Sequence, residues 1–172
     1  GDKGRKRSRG FLLTLTYPGD WVEAATLDYA VWTAQYEAFK KRLKRMVRRA
    51  GMSPAGVHIL WKKEFQERGA PHYHLIVLLP GEIGRNWFNR WAKRAWSEVV
   101  ANSAGRGFPH HLKQGAKAVP LYGGGGKLMR YLTKYMCKET DIDLLPVELV
   151  ENGTGRAWGG SLPSGDYVSV AI

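Results

Sequence analysis

Two histidines two positions apart, His72 and His74 in the run Pro71-His72-Tyr73-His74, are the first residues in the chain whose spacing suggests chemistry. Side chains alternate along an extended strand, so both imidazoles project to one face while Tyr73 points away. Imidazoles so placed can share a cation, and a carboxylate beside them would complete a three-ligand set. Glu64, eight positions before His72, can supply it if residues 57–66 and 72–79 pair as an antiparallel hairpin. Opposed residues in such a hairpin have a constant sum of numbers and share a face. An even sum gathers Glu64, Gln66, His72 and His74, whereas an odd sum turns Glu64 to the far side. The site therefore requires an odd-numbered loop, of three or five residues, around Arg68-Gly69, and a two-residue turn there contradicts it. Two imidazoles and one carboxylate leave coordination positions open, which suits a divalent ion that also holds a substrate phosphate. Manganese or magnesium is expected, although zinc would accept the same ligands. A His-x-His pair alone also serves as a polar strand face. Glu64 and the apolar run Leu75 to Leu79, which holds the strand in a core, favour the site.

The second group is Tyr131-Leu132-Thr133-Lys134-Tyr135-Met136-Cys137-Lys138. Tyr131 and Tyr135 are one helical turn apart on one face, with Lys127, Lys134 and Lys138 on or beside it and Leu128, Leu132 and Met136 in a packing row. A tyrosine pair at this spacing also packs in cores, but ammonium groups seldom enter a core unpaired. A phenol is a poor nucleophile near neutral pH because its pKa is about 10. Nearby cations favour phenolate and neutralise charge that builds on phosphorus oxygens during attack.

The elements that must hold these groups are legible as periodicities. Phe11 to Tyr17 reads as a strand closed by Pro18-Gly19-Asp20. From about Leu27 to Ala50, Trp32, Tyr36, Phe39, Leu43 and Met46/Val47 recur at helical spacing beside a basic outer face. The hairpin follows, with Pro80-Gly81 closing its second strand, and then a helix whose apolar side is Trp87, Phe88, Trp91 and Ala95. Residues 98–120 carry no clear period. The Gly123 to Gly126 run precedes the tyrosine helix without the spacing of a dinucleotide fingerprint, and Tyr167 to Ile172 alternates as one more strand would.

The chain has 172 residues, 44% of them hydrophobic, which suits one domain with a real core. Residues 1–10 read as a flexible basic arm and residues 11–172 as the domain. Lys and Arg number 27 against 15 Asp and Glu, net +12, which suits a polyanionic partner or a merely solubilising surface. The excess is uneven: residues 139 to 172 hold six acids and Arg156 as the one base, net −5, which leaves +17 on residues 1–138. Cys137 is the one cysteine, so no intrachain disulfide or cysteine-based zinc site can form. No apolar run approaches a membrane span, and the chain reads as cytoplasmic, in a bacterial or archaeal host cell. The Gly-x-x-x-x-Gly-Lys-Ser/Thr phosphate loop of a helicase is absent from the sequence.

In order, Phe11-Leu12-Leu13-Thr14-Leu15-Thr16-Tyr17, Glu64 with Pro71-His72-Tyr73-His74-Leu75, and Tyr131-x-x-Lys134-Tyr135-x-x-Lys138 resemble the three motifs of HUH rolling-circle replication initiators, especially the two-tyrosine type of bacteriophages and related plasmids. Gly155-Arg156-Ala157-Trp158-Gly159 is similar to a segment that follows the tyrosine motif in some phage initiators. The resemblance implies an α+β fold, a central antiparallel sheet of about five strands with helices packed on it, in the ferredoxin- or RNA-recognition-like arrangement of HUH nucleases. It implies an ion on Glu64, His72 and His74, attack by Tyr131 or Tyr135, and assistance from Lys134 or Lys138. The reaction implied is nicking and joining of single-stranded DNA at a replication origin, through a 5′-phosphotyrosine and a free 3′-OH. Thr14, Thr16, Lys62, Gln66, Arg68, Lys127, Arg130 and Arg156 are the expected DNA contacts. Host helicase and polymerase are the expected protein partners, with no membrane and no small-molecule cofactor. The competing expectations are a non-catalytic single-strand or RNA-binding module and a relaxase or transposase of the same chemistry.

Overall fold

Phe11, Leu13 and Leu15 alternate with polar or smaller positions and are fully buried, which fixes the first strand's core face. A computed structural model describes residues 7–121, Arg130, Lys134, Gly153, Gly155 and 157–160. Its elements are β1 (Arg7–Thr16), α1 (Trp21–Ala25), α2 (Tyr29–Arg49), a 3-10 turn (Pro54–Gly56), β2 (His58–Phe65), β3 (Pro71–Gly84), α3 (Arg85–Ala104), α4 (His111–Gln114), β4 (Ala116–Pro120) and β5 (Trp158–Gly160). The strands form one antiparallel sheet in the order β4-β1-β3-β2-β5, with helices packed on it, the α+β arrangement expected.

The helices cover one face only. Trp32, Tyr36, Phe39, Leu43 and Val47 of α2, and Phe88, Ala92, Trp96 and Val100 of α3, join Leu13, Leu15, Tyr73, Leu75 and Val77 of the sheet in one core. Burying each large apolar side chain contributes roughly 1.5–3 kcal/mol. Asp28 caps α2, its side chain accepting from the Ala30 N–H at 2.9 Å. A buried polar chain ties the layers together: the Tyr17 hydroxyl donates to Gln35 Oε1 at 2.5 Å, and Gln35 Nε2 donates to the Ala24 carbonyl and to Ser103 Oγ. Even-numbered residues of β1, β2 and β3 point to the opposite face. There Leu12 and Ile76 are also buried, outside the main core.

Four expectations change. Residues 7–10 of the expected basic arm are strand, with Arg7 opposite Gly84 and Gly10 opposite Leu78. Pro80-Gly81 does not end β3; it falls where the β1–β3 register shifts, so the pair makes an irregularity in a longer strand. Trp87 is 45% exposed and off the apolar face of α3, which is instead built on Phe88, Ala92, Ala95, Trp96 and Val99. Residues 98–120 hold the end of α3, the short α4 and the edge strand β4. The suggested strand at Tyr167 to Ile172 and the glycine run 123–126 lie outside the described residues. Among the described residues no helix is long and apolar enough to cross a membrane.

The hairpin loop has the required odd count. Five residues separate Phe65 from Pro71, and the Gln66 N–H donates to the Ala70 carbonyl at 2.9 Å, leaving Glu67, Arg68 and Gly69 at the tip. Gly69 has φ +80° and donates its N–H to the Gln66 carbonyl, the left-handed position such a three-residue tip demands. Gly69→Ala is expected to lower the unfolding free energy by about 1–2 kcal/mol, the cost of a Cβ in that region. A denaturant midpoint unchanged from the parent would contradict this account of the loop.

Candidate active site

The even pairing sum of β2 and β3 builds the site. Glu64 stands opposite His72, and Lys62 opposite His74. On the other side of β3, Thr16 pairs with His72 and Thr14 with His74. Two rungs therefore cross the open face: Thr16–His72–Glu64 and Thr14–His74–Lys62. The second continues to both edges, because Lys117 of β4 lies opposite Thr14 and Trp158 of β5 lies opposite Lys62. Tyr73 projects to the helix side, where it stacks on Tyr36 with ring centroids 5.3 Å apart. Burial pushes its phenol pKa up, which removes it from consideration as a nucleophile.

Side chains on these rungs already converge. His74 Nε2 is 3.1 Å from Glu64 Oε2, and the His72 and His74 ring centroids are 4.6 Å apart. Lys62 Nζ is 3.8 Å from Glu64 Oε1, although Lys62 is only 5% exposed. Thr16 Oγ1 is 2.9 Å from His72 Nδ1, a contact that engages one ring nitrogen and leaves Nε2 as the ligating atom. Thr16 is itself held from behind: its carbonyl accepts from Trp96 Nε1 at 2.9 Å and lies 2.8 Å from His111 Nε2, and its N–H donates to the Gly115 carbonyl. The orientation of His72 is thus coupled to the core.

Burial, with His74 and Arg68 nearby, holds His72 down to about 4, against an ordinary 6.5, and the opposing pull of Glu64 is smaller. The ring is neutral at physiological pH, the form that coordinates a cation. Donor chemistry also fits a divalent ion: two ligands about 2.1 Å from one ion at right angles stand about 3.0 Å apart, close to the Glu64–His74 separation. Among the described residues no three His, Cys, Asp or Glu side chains already surround one point. His72 and His74 meet edge-on at 75°, so a shared ion requires a ring to turn.

Of the expected DNA contacts, Thr14, Thr16 and Lys62 lie on the histidine face. Arg68 is committed elsewhere: its guanidinium donates to the Tyr17 and Pro18 carbonyls, both at 2.6 Å, and to Gln66 Oε1, stapling the hairpin tip to the end of β1. Arg130 and Lys134 are helical and exposed, four positions apart. Tyr131, Tyr135, Lys127, Lys138 and Arg156 lie outside the described residues. Two edge residues escaped the sequence reading. Lys117 sat in the stretch without a period. Trp158, 65% exposed, was visible only within the Gly155 to Gly159 segment, whose glycine has a steric reason: a Cβ at Gly159 would lie 2.9 Å from Trp61 Nε1.

A family model for the replication-associated protein ORF2 group matches residues 10–140. The chain belongs to this family. The matched span covers most of the histidine face, from β1 through β4, and the tyrosine segment, while Trp158 lies beyond it. As a replication-associated protein it has DNA as its partner. Neither a curated protein nor a solved structure matches the chain significantly.

The position of His72 in this replication-associated protein has a measurable signature. Its side chain is expected to titrate near pH 4 in metal-free protein, followed by NMR of the ring protons, well below the ordinary 6.5. Because the folded pKa is depressed, its contribution to stability is complete above 6.5 and is lost as pH falls toward 4. A midpoint at or above 6.5 would contradict the buried, Thr16-bonded placement.

Proposed function

We propose that this replication-associated protein nicks and rejoins single-stranded DNA at a replication origin, as an HUH nuclease of the two-tyrosine type. The observation that carries the reading is the shared face of Glu64, His72 and His74, set by the even hairpin register. These residues would hold a divalent cation, manganese or magnesium, through His72 Nε2, His74 and the Glu64 carboxylate. When bound, the ion withdraws charge from the scissile phosphate oxygens and fixes that phosphate in place.

The chain's own residues supply the rest. The hydroxyl oxygen of Tyr131 or Tyr135 attacks phosphorus as its proton leaves to solvent. The bond from phosphorus to the 3′ oxygen breaks, and that oxygen takes up a proton to become a 3′-OH. The 5′ phosphate remains on tyrosine, so the energy of the broken linkage is kept for rejoining. Lys134 and Lys138 favour the phenolate and balance charge on the phosphoryl oxygens. Thr16 keeps His72 in the ligating tautomer. Trp158 offers a ring face, and Lys117 a cation, at opposite edges of the same surface, suited to a strand laid across the sheet. The free 3′-OH is a primer for a host polymerase, and a separate helicase would open the duplex.

Incubating the chain with a random-sequence single-stranded DNA pool, in Mn²⁺ or in chelator, tests this on a denaturing gel. A covalent adduct is expected only with the ion, reduced on the order of 100-fold in His74→Ala, and absent from the double variant Tyr131→Phe, Tyr135→Phe. Mass spectrometry of the linked peptide names the attacking residue. Adduct retained in the double variant refutes the nucleophile assignment. Binding without adduct in the parent chain refutes nicking and leaves a single-strand-binding module.

A further inference from the structure

On the side of the sheet away from the histidines, α2 and α3 leave an open groove of about 390 Å³ between them. Its walls are two facing helical stripes. Arg42, Arg45 and Arg49 come from α2 at a spacing that keeps them on one face, and Trp87, Trp91 and Arg94 come from α3 in the same way. Met46 and Ala95 form an apolar floor. Glu98 is the one acid in the lining and is already paired with Arg42. Among the described residues Arg45, Arg49 and Arg94 make no ion pair.

The groove does not stop there. Trp87 and Ala50 also line a second hollow, of about 820 Å³, which carries Arg7, Arg85 and Arg90 against the single acid Glu82. Every cation along this continuous path is arginine. A planar guanidinium pairs with phosphate through two parallel donors, which an ammonium does not. Trp87, 45% exposed, stands where the two hollows meet. An exposed indole between arginines suits an unpaired base stacked between neighbouring phosphates, whereas a base in a duplex has no free face.

We infer that this groove binds a second stretch of single-stranded DNA, separate from the stretch at the histidines. Gly84, beside Arg85, is ten residues along β3 from His74, so the two surfaces are roughly 30 Å apart along the strand and on opposite faces of the sheet. A strand occupying both must wrap the sheet edge, and the helix-side groove then retains DNA while the other face acts on it. The inference rests on the DNA-processing reading only for the identity of the polymer.

The test is arginine modification by phenylglyoxal, read by mass spectrometry on the unaltered chain in chelator, with and without an oligonucleotide of about 30 nucleotides, long against a site of about 4–16. Arg45, Arg49 and Arg94 are expected to be protected by the oligonucleotide and not by polyglutamate of equal charge. Equal modification with and without DNA, or protection by polyglutamate alone, overturns the proposal. Anisotropy with Arg45→Ser, Arg49→Ser, Arg94→Ser should show the salt dependence of log affinity flattened by about 2, from three lost phosphate contacts at about 0.7 each. Trp87→Ala should weaken binding about 10-fold without changing that slope. An unchanged slope in the triple variant overturns the proposal as well. Neither readout requires cleavage, so absence of a covalent adduct would refute nicking and leave this inference standing.

Discussion

The site depends on the parity of one hairpin. Because Glu64 stands opposite His72, carboxylate and imidazoles share a surface, and a loop one residue longer or shorter would place the acid among the buried aromatic rings. The chain guards that count at several points. Gln66 and Ala70 close the loop by a backbone hydrogen bond, Gly69 takes the left-handed turn, and Arg68 fastens the tip to the carbonyls of Tyr17 and Pro18. A basic residue near a candidate DNA site thus has a structural task.

The second feature is the coupling of the sheet's two faces through Thr16. Its hydroxyl meets His72 on the open side, while its carbonyl is anchored by Trp96 and His111 from the packed side. Ring orientation at the site is consequently fixed by groups buried in the fold rather than by flexible surface contacts. Division of labour follows the same geometry. Odd-numbered residues such as Tyr73 and Leu75 enter the core, and even-numbered ones carry the polar chemistry.

Strand alternation made the histidine face legible in the sequence, because a period of two leaves only two outcomes and Glu64 had to satisfy one of them. The basic helix was equally plain from Trp32, Tyr36, Phe39 and Leu43, all buried as their spacing requires. Short edge strands were not legible: β4 has five residues and β5 three, too few to display a period, and β5 is held by its pairing with β2. Pro80-Gly81 misled because those residues mark a turn as readily as a strand irregularity, and only the partner strand decides between them. Trp87 misled because size suggested burial, while the helix turned Trp96 inward instead. The tyrosine helix rests on its own sequence pattern and on the family match.

The claim that everything else needs is that His72 and His74 act together on one cation. Titrating Mn²⁺ into the chain while recording the ring signals of all five histidines addresses it directly. Saturable, simultaneous paramagnetic broadening of His72 and His74, lost in Glu64→Ala, is the expected result. Broadening centred on other histidines, or none at saturating ion, would contradict the account.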